Sequence, residues 1–236
     1  MPTRTDNKRH HLARWLPLIA VATLVALGAA VYVLFFTPDS VAELSLRTAS
    51  TPINSDDLSG SWSPTSGSVA GYRVREKLAF LSAPSDAVGR TSDVSGTVKV
   101  SDDGSTIKAL SGSRLQVNMR TLKSNQDRRD ERIKTWGIET DTFPTASFQL
   151  TKDVHIPATI RDGKAVAVDA QGDLTLHGET RHVTMPLKIQ MSGTTIQIVG
   201  SLKITMADYG IDVTAFGGFV SVQKTGTIEL SVILSR

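Results

Sequence analysis

Hydrophobic and polar residues alternate along most of this chain, and the longest such run, Gly172 to Met191, anchors the reading of the rest. Leu174 and Leu176 share one phase; after a short gap Val183, Met185, Leu187, Ile189 and Met191 share another. Successive strand side chains point to opposite sides of a sheet, so the run predicts two half-buried strands. His177-Gly178-Glu179-Thr180 falls between them as a short turn, with Gly178 able to take a positive φ at little cost. The pattern recurs on both sides. Tyr72, Val74, Leu78 and Phe80 alternate with Arg73, Arg75 and Lys77, and Val94 to Val100 and Ser105 to Leu110 follow. Leu115, Val117 and Met119 form the next run, then Ala146, Phe148 and Leu150, and Ala165 to Leu176 leads into the hairpin. Ile196, Ile198, Leu202, Ile204 and Met206 come after it, and Ile228, Leu230, Val232 and Leu234 close the chain. Turn signals such as Asp102-Asp103-Gly104, Asp162-Gly163 and Ser192-Gly193 separate the runs. Many short alternating strands predict an all-β domain, an antiparallel sheet closed into a barrel or folded as a sandwich.

One helix interrupts the strands. Ser124 is its candidate N-cap, Asp127 gives an acidic first turn, and Asn125 to Trp136 places Ile133 and Trp136 on one side. Glu76 falls in the apolar phase of its strand, where it requires either a bulge that turns it outward or a buried partner.

The N-terminal region breaks the pattern. Trp15 to Phe36 is a run of 22 residues without a charge, about 33 Å as a helix and enough to cross a hydrocarbon core of about 30 Å. The cations before it predict a cytoplasmic tail over 1–14 and an exported C-terminus. A cleaved signal peptide is the competing reading, with Ala26-Leu27-Gly28 as its site, although the apolar run continues to Phe36. Residues 37–60, rich in Ser, Thr, Pro and Asp, read as a flexible linker, and the folded body occupies 61–236. The expected location is the cell membrane, single-pass, with the body outside the cytoplasm.

Charge and composition narrow the chemistry. The formal charge is +3, and residues 1–14 supply it with four cations against one anion. The remainder holds 22 basic and 22 acidic residues, and a neutral body argues against nucleic-acid binding. The chain has no cysteine, which excludes disulfides, thiol catalysis and cysteine metal sites. His177 and His182, near Asp173 and Glu179, fall short of the three or four convergent ligands a zinc site needs; His177 is expected to hydrogen-bond backbone and fix its turn. Asp208 and Tyr209 read as a second turn lock. No nucleophile elbow, phosphate loop or dinucleotide fingerprint is present, so no enzyme is expected.

Five ordered motifs carry a resemblance. They are Ser61-Trp62 with Gly71-Tyr72-Arg73-Val74, Arg128-Arg129-Asp130-Glu131-Arg132, Phe143-Pro144-Thr145-Ala146-Ser147-Phe148, Gly172-Asp173-Leu174-Thr175-Leu176-His177-Gly178, and Asp208-Tyr209-Gly210-Ile211. Over 61–236 the chain resembles the YceI-like family of polyisoprenoid-binding envelope proteins, and is similar to their membrane-anchored actinobacterial forms. The resemblance implies an extended lipocalin-like antiparallel barrel of about eight strands. Its lumen would hold an isoprenoid or another long-chain amphiphile for storage or transport, with no other cofactor and no metal. A homodimer is compatible with it. The alternative is an envelope stress or interaction module whose barrel is filled by its own side chains.

On the lipid reading the inward phase lines the lumen. The first strands give Phe80, Leu115, Val117, Met119 and Phe148. The hairpin gives Leu174, Leu176, Val183, Met185, Leu187, Ile189 and Met191, and the following strands give Ile198, Leu202, Ile204 and Met206. Four methionines fall in this set; unbranched thioethers suit either a cavity for a flexible chain or an ordinary core. Arg90, Arg128, Arg129 and Arg181 are candidate contacts for an anionic head group, since guanidinium forks pair with phosphate oxygens. The opposing reading makes them a solvated face, with Arg129-Asp130 an internal pair.

Overall fold

The computed structural model describes residues 23, 25, 27, 41–47, 57–78, 84–213 and 220–236. The chain falls into two units, Met1–Ser40 and Val41–Arg236. The expected span over 15–36 lies outside the described residues except for Thr23, Val25 and Leu27, which are helical, and so does Phe80. Among the described residues no helix is long and apolar enough to cross a membrane.

In the second unit the alternating runs form strands. They are β1 (Gly60–Pro64), β2 (Val69–Leu78), β3 (Ser85–Thr91), β4 (Val94–Asp102), β5 (Ile107–Ala109) and β6 (Arg114–Asn118), then, after helix α1 (Asp127–Thr135), β7 (Thr145–Leu150), β8 (Val154–Ile156), β9 (Val166–Leu176), β10 (Glu179–Ser192), β11 (Thr195–Thr205) and β12 (Val220–Ser235). Strands β1, β12, β11, β10, β9, β7, β6 and β4 pair in succession, and β4 returns to β1, so the sheet closes into an eight-stranded antiparallel barrel. Of the two all-β forms that the alternation left open, the chain builds the barrel, the one the family resemblance implied, with one α-helix among the described residues of this unit. Short strands with no sustained alternation, β3 and β8, had no counterpart in the sequence pattern.

The barrel is closed in two different ways along its length. Near one end β1 sits between β12 and β4 and completes the ring with ladders on both edges, Trp62 opposite Val98 and Pro64 opposite Leu234. Further along β12, the same edge pairs with β2, and β2 pairs with β3. The free edge of β3 meets the rest of the wall at an isolated bridge, Arg90 to Lys123.

The interior divides along the same line. Val166 and Ala170 on β9, Ile189 and Met191 on β10, Ile196 and Ile198 on β11, and Val232 and Leu234 on β12 pack with Trp62, Val98 and Val100 into one core. Leu174 and Leu176 further along β9, with Ile204 on β11, belong to a second cluster with Met119, Leu122, Ile133, Tyr209 and Ile211. Burying this aliphatic surface, at roughly 25 cal/mol per Å², drives closure of the sheet. Phe148 touches both clusters. Its ring lies over Gly172, where an added Cβ would come within 2.6 Å of ring carbon Cζ.

Three expectations change in detail. The helix starts at Asp127 after Gln126, with no side-chain cap; Ser124, two residues before the cap position, donates its hydroxyl to Asp130 Oδ1 at 2.7 Å and accepts from the Gln126 N–H at 3.2 Å. Trp136 does not share the buried side of Ile133: it follows the last helical turn in an extended conformation (φ −137, ψ 142) and is 52% exposed. Residues 41–47, within the expected linker, lie on the outer face of the barrel. Arg73 Nη2 donates to the Val41 carbonyl at 2.9 Å, and the Arg47 N–H donates to Gln197 Oε1 at 2.9 Å.

Candidate functional site

The second cluster surrounds a cavity of about 380 Å³, within the roughly 300–1,000 Å³ range of small-molecule sites. Its wall is aliphatic: Val117 and Met119 from the β6 side, Leu174 and Leu176 from β9, and Ile204 and Met206 from β11 and the turn after it. Those six are the expected lumen residues that the structure brings to this void. Val183 and Leu202 pack behind it, partly buried.

The remaining expected lumen residues lie in the other half. Leu115, Phe148, Met185, Leu187, Ile189 and Ile198 border a residual space of about 70 Å³. Met191, fully buried, belongs to that same core. There the side chains of facing strands meet, so the strand phase that points inward leads into packed core rather than into the larger cavity.

The cavity also has walls that periodicity did not assign to it. Tyr72 and Val74 on β2 complete one side, and Ile138 and Ile211, from segments without periodicity, contribute to the rest. The Tyr72 ring is accommodated by Gly89 opposite it, where a Cβ would stand 2.4 Å from ring carbon Cε1. Its hydroxyl is buried without a hydrogen-bond partner among the described residues. Burial pushes the Tyr72 pKa up to about 12.

The polar end is built by α1 and β2. Glu76 stays inward, since the irregularity in the β2–β12 ladder falls on β12 between Val222 and Gly226. It is buried and takes the other option read from its phase, a buried partner: Arg129 Nη2 donates to Glu76 Oε1. Arg129 therefore pairs with Glu76 across the cavity rather than with its neighbour Asp130, whose carboxylate accepts from Ser124 and faces Lys123. Arg128 and Arg132, four residues apart on one helix face, border the same void while exposed to solvent.

The other two candidate cations are not brought there. Arg90 alternates to the outer face of β3, where its guanidinium holds Glu229 at 2.7 Å and donates to the Ala42 carbonyl at 2.5 Å. Arg181 is exposed on β10 and pairs with Glu179 at 3.4 Å. Both are corrections to the head-group set, with different causes: Arg90 takes the outward phase of β3, whereas Arg181 keeps the inward phase of β10, opposite Leu174, but stands exposed near the hairpin end and does not line the cavity.

His177 and Gly178 form the two-residue hairpin loop, with φ of 52° and 77°, the left-handed pair such a turn requires. His177 Nδ1 bonds the Tyr209 carbonyl at 3.0 Å and Nε2 meets Glu139 Oε2 at 2.7 Å. The ring thus ties three segments together, the hairpin, the Tyr209 turn and the loop after α1. His182 bonds Asp173 at 3.0 Å on the exposed side, so the two imidazoles do not converge.

The comparisons with known proteins agree with this architecture. A UPF0312 protein of Vibrio vulnificus is 31% identical over 122 residues, covering 49% of this chain and 61% of the relative. A UPF0312 protein of Vibrio cholerae is 28% identical over 126 residues. The chain thus spans about three fifths of the length of these curated relatives. Among solved structures, a polyisoprenoid binding domain from Saccharophagus degradans implicated in plant cell wall breakdown shares the fold. Its TM-score is 0.57 at 16% identity, covering 75% of this chain and 98% of that domain. Residues 64–234, nearly the whole barrel, match the family described as YceI-like domain, and the chain belongs to that family.

Proposed function

We infer that the larger cavity holds the apolar chain of a long-chain amphiphile, an isoprenoid lipid first among the candidates. The polar end of the guest would lie toward Arg128 and Arg132. The observation that carries this is the aliphatic void of about 380 Å³ within a barrel whose other half is packed. Hydrocarbon moved from water onto such walls gains roughly 25 cal/mol per Å², so the chain supplies most of the affinity and the cations orient the head. The binding of a polyisoprenoid by the structural neighbour from Saccharophagus degradans supports the same ligand class.

The apolar run 15–36 and the cations before it support a membrane-tethered protein with the barrel outside the cytoplasm, storing or carrying the lipid. Native mass spectrometry of the full chain, expressed in cells and released from its detergent, tests the binding. A long-chain lipid is expected to copurify, and Leu176→Asp, which puts a carboxylate on the cavity wall, is expected to abolish that adduct in a folded protein. Repeated isolation of the empty barrel would defeat the reading.

A further inference from the structure

A long apolar chain must have a way into the cavity, and ladders close only part of the wall around it. Antiparallel ladders join β12 to β11, and β10 through β9 and β7 to β6; between β10 and β11 the ladder stops at Leu187 and Gly200, beyond which the Met206–Tyr209 turn packs against both strands. The far end is filled by the core around Trp62, Met191 and Leu234. On the side closed by α1 the described residues form only the isolated Arg90–Lys123 bridge.

Helix α1 stands over the void instead of packing into the barrel. Of its nine residues only Asp130 and Ile133 are buried, and Arg128, Arg129, Arg132 and Ile133 border the cavity. The segment behind it folds back onto the helix: the Thr140 and Asp141 N–H groups donate to the Ile133 and Lys134 carbonyls at 3.0 Å each. The Phe143 N–H donates to the Glu139 carbonyl at 2.8 Å. Residues 127–143 are therefore one internally braced piece.

Its attachments to the barrel are mostly polar, beside the packing of Ile133 and Ile138 on the second cluster. At its ends, Lys123 and Arg90 exchange N–H···O bonds of 2.8 Å, and the Pro144 carbonyl accepts from the Met119 N–H at 2.8 Å. On the side of the second end, Glu139 meets His177, the Phe143 ring lies 4.1 Å from the His177 ring, and Arg120 donates to the Asp141 carbonyl at 2.9 Å. Across the cavity the helix is tied to β2 by Arg129 and Glu76.

We propose that residues 127–143 are a lid, that Glu76–Arg129 is its latch, and that the apolar chain enters beneath α1 when the latch parts. The proposal rests on reading the cavity as a lipid site. Elements that open at low cost have few buried apolar contacts; residues 127–143 place Ile133 and the partly buried Ile138 on the second cluster. A charged latch suits this role because both groups recover water when they part, whereas an apolar latch would expose surface to it.

The chain has no cysteine, so a full-length Glu76→Cys, Arg129→Cys variant can be bridged selectively with a short, reducible bis-maleimide. Uptake of cis-parinaric acid, followed by its fluorescence, is expected to slow at least tenfold in the bridged protein and to recover on reduction. Uptake at an equal rate when bridged would overturn the lid and leave the cavity reading intact. No uptake in any form, unmodified chain included, would overturn both. Amide hydrogen exchange on the unmodified chain gives a second measurement that needs no variant. The amides of 127–143 are expected to exchange at least tenfold faster than those of β9 to β11 and to slow on binding the probe. Protection equal to that of the strands sinks the lid.

Discussion

The two halves of this barrel are made from the same strands and come out differently. Along β9 the apolar positions Val166 and Ala170 face a packed core, and Leu174 and Leu176, a few residues on, face a cavity of about 380 Å³. The difference lies in what closes the ring. In the packed half β1 fits between β12 and β4 and delivers Trp62, fully buried, with its indole N–H donating to the Leu58 carbonyl at 3.0 Å. Asp102, buried under the same end, accepts from the Leu58 N–H at 2.9 Å and pairs with Arg161 at 2.5 Å. In the hollow half the closing pieces are the β2–β3 ribbon and α1, and among their described residues Tyr72 and Val74 line the cavity wall without filling it. A filled barrel therefore describes one half and a hollow barrel the other. Whether an inward residue becomes core or cavity wall depends on its distance from Trp62.

Truncating the plug should break the comparison most strongly. Trp62→Ala is expected to cost about 3–5 kcal/mol in chemical unfolding, since a large void opens where nothing can collapse into it. Met206→Ala, at the cavity wall, should cost less than about 2 kcal/mol, because it widens a space that already exists. The same pair should reverse for the guest: lipid content per folded molecule changes in Met206→Ala and not in Trp62→Ala. Equal stability losses in the two variants would mean that the hollow half is packed in solution.

Tyr72 gives an intermediate effect, and it belongs to the hollow half. Burial raises its pKa to about 12 from the ordinary 10.0 of a tyrosine, so the folded state favours the neutral phenol. That preference is fully present below pH 10 and is lost as the pH rises from 10 through 12. The loss is on the order of 2–3 kcal/mol, at about 1.4 kcal/mol per pKa unit. Stability measured over that window should fall in the parent chain and fall less in Tyr72→Phe. A phenol that ionises near pH 10 in the folded chain would show that water reaches the ring.

These contrasts also mark what the sequence could and could not reveal. Alternation identified the strands of the barrel wall from β9 to β12 because each has one wet and one buried face, and that is a property of neighbouring residues. It also left Glu76 two options, a bulge or a buried partner, and the fold takes the second. It could not say which inward positions enclose space, because that depends on which strands close the ring at each level. Thus Met185 and Met206 read alike in sequence and part in the fold, one in the packed core and the other on the cavity wall. Strand β3 escaped notice because Ser85-Asp86-Ala87-Val88-Gly89 has no apolar alternation; its glycine is there to receive the Tyr72 ring. The head-group cations were the least legible. Arg90 and Arg129 are equally basic in sequence, and only the pairing of β3 and the placement of α1 send one outward and the other to Glu76.

The smallest effect separates the cations that border the cavity from those that do not. Arg128 is exposed at the edge of the void, and Arg181 is exposed on β10 beside Glu179. Removing an exposed charge of either kind changes folding stability by less than about 1 kcal/mol, so stability cannot tell them apart. Binding can. With cis-parinaric acid, whose carboxylate would face Arg128, the variant Arg128→Ala should weaken affinity by up to about fivefold, equivalent to roughly 1 kcal/mol. With the methyl ester of the same probe, which carries no charge, Arg128→Ala should have no effect, and Arg181→Ala should have none with either. A loss shared by acid and ester would make Arg128 part of the apolar packing through its stem. A loss in Arg181→Ala would place the polar end of the guest on the hairpin side of the barrel, away from α1.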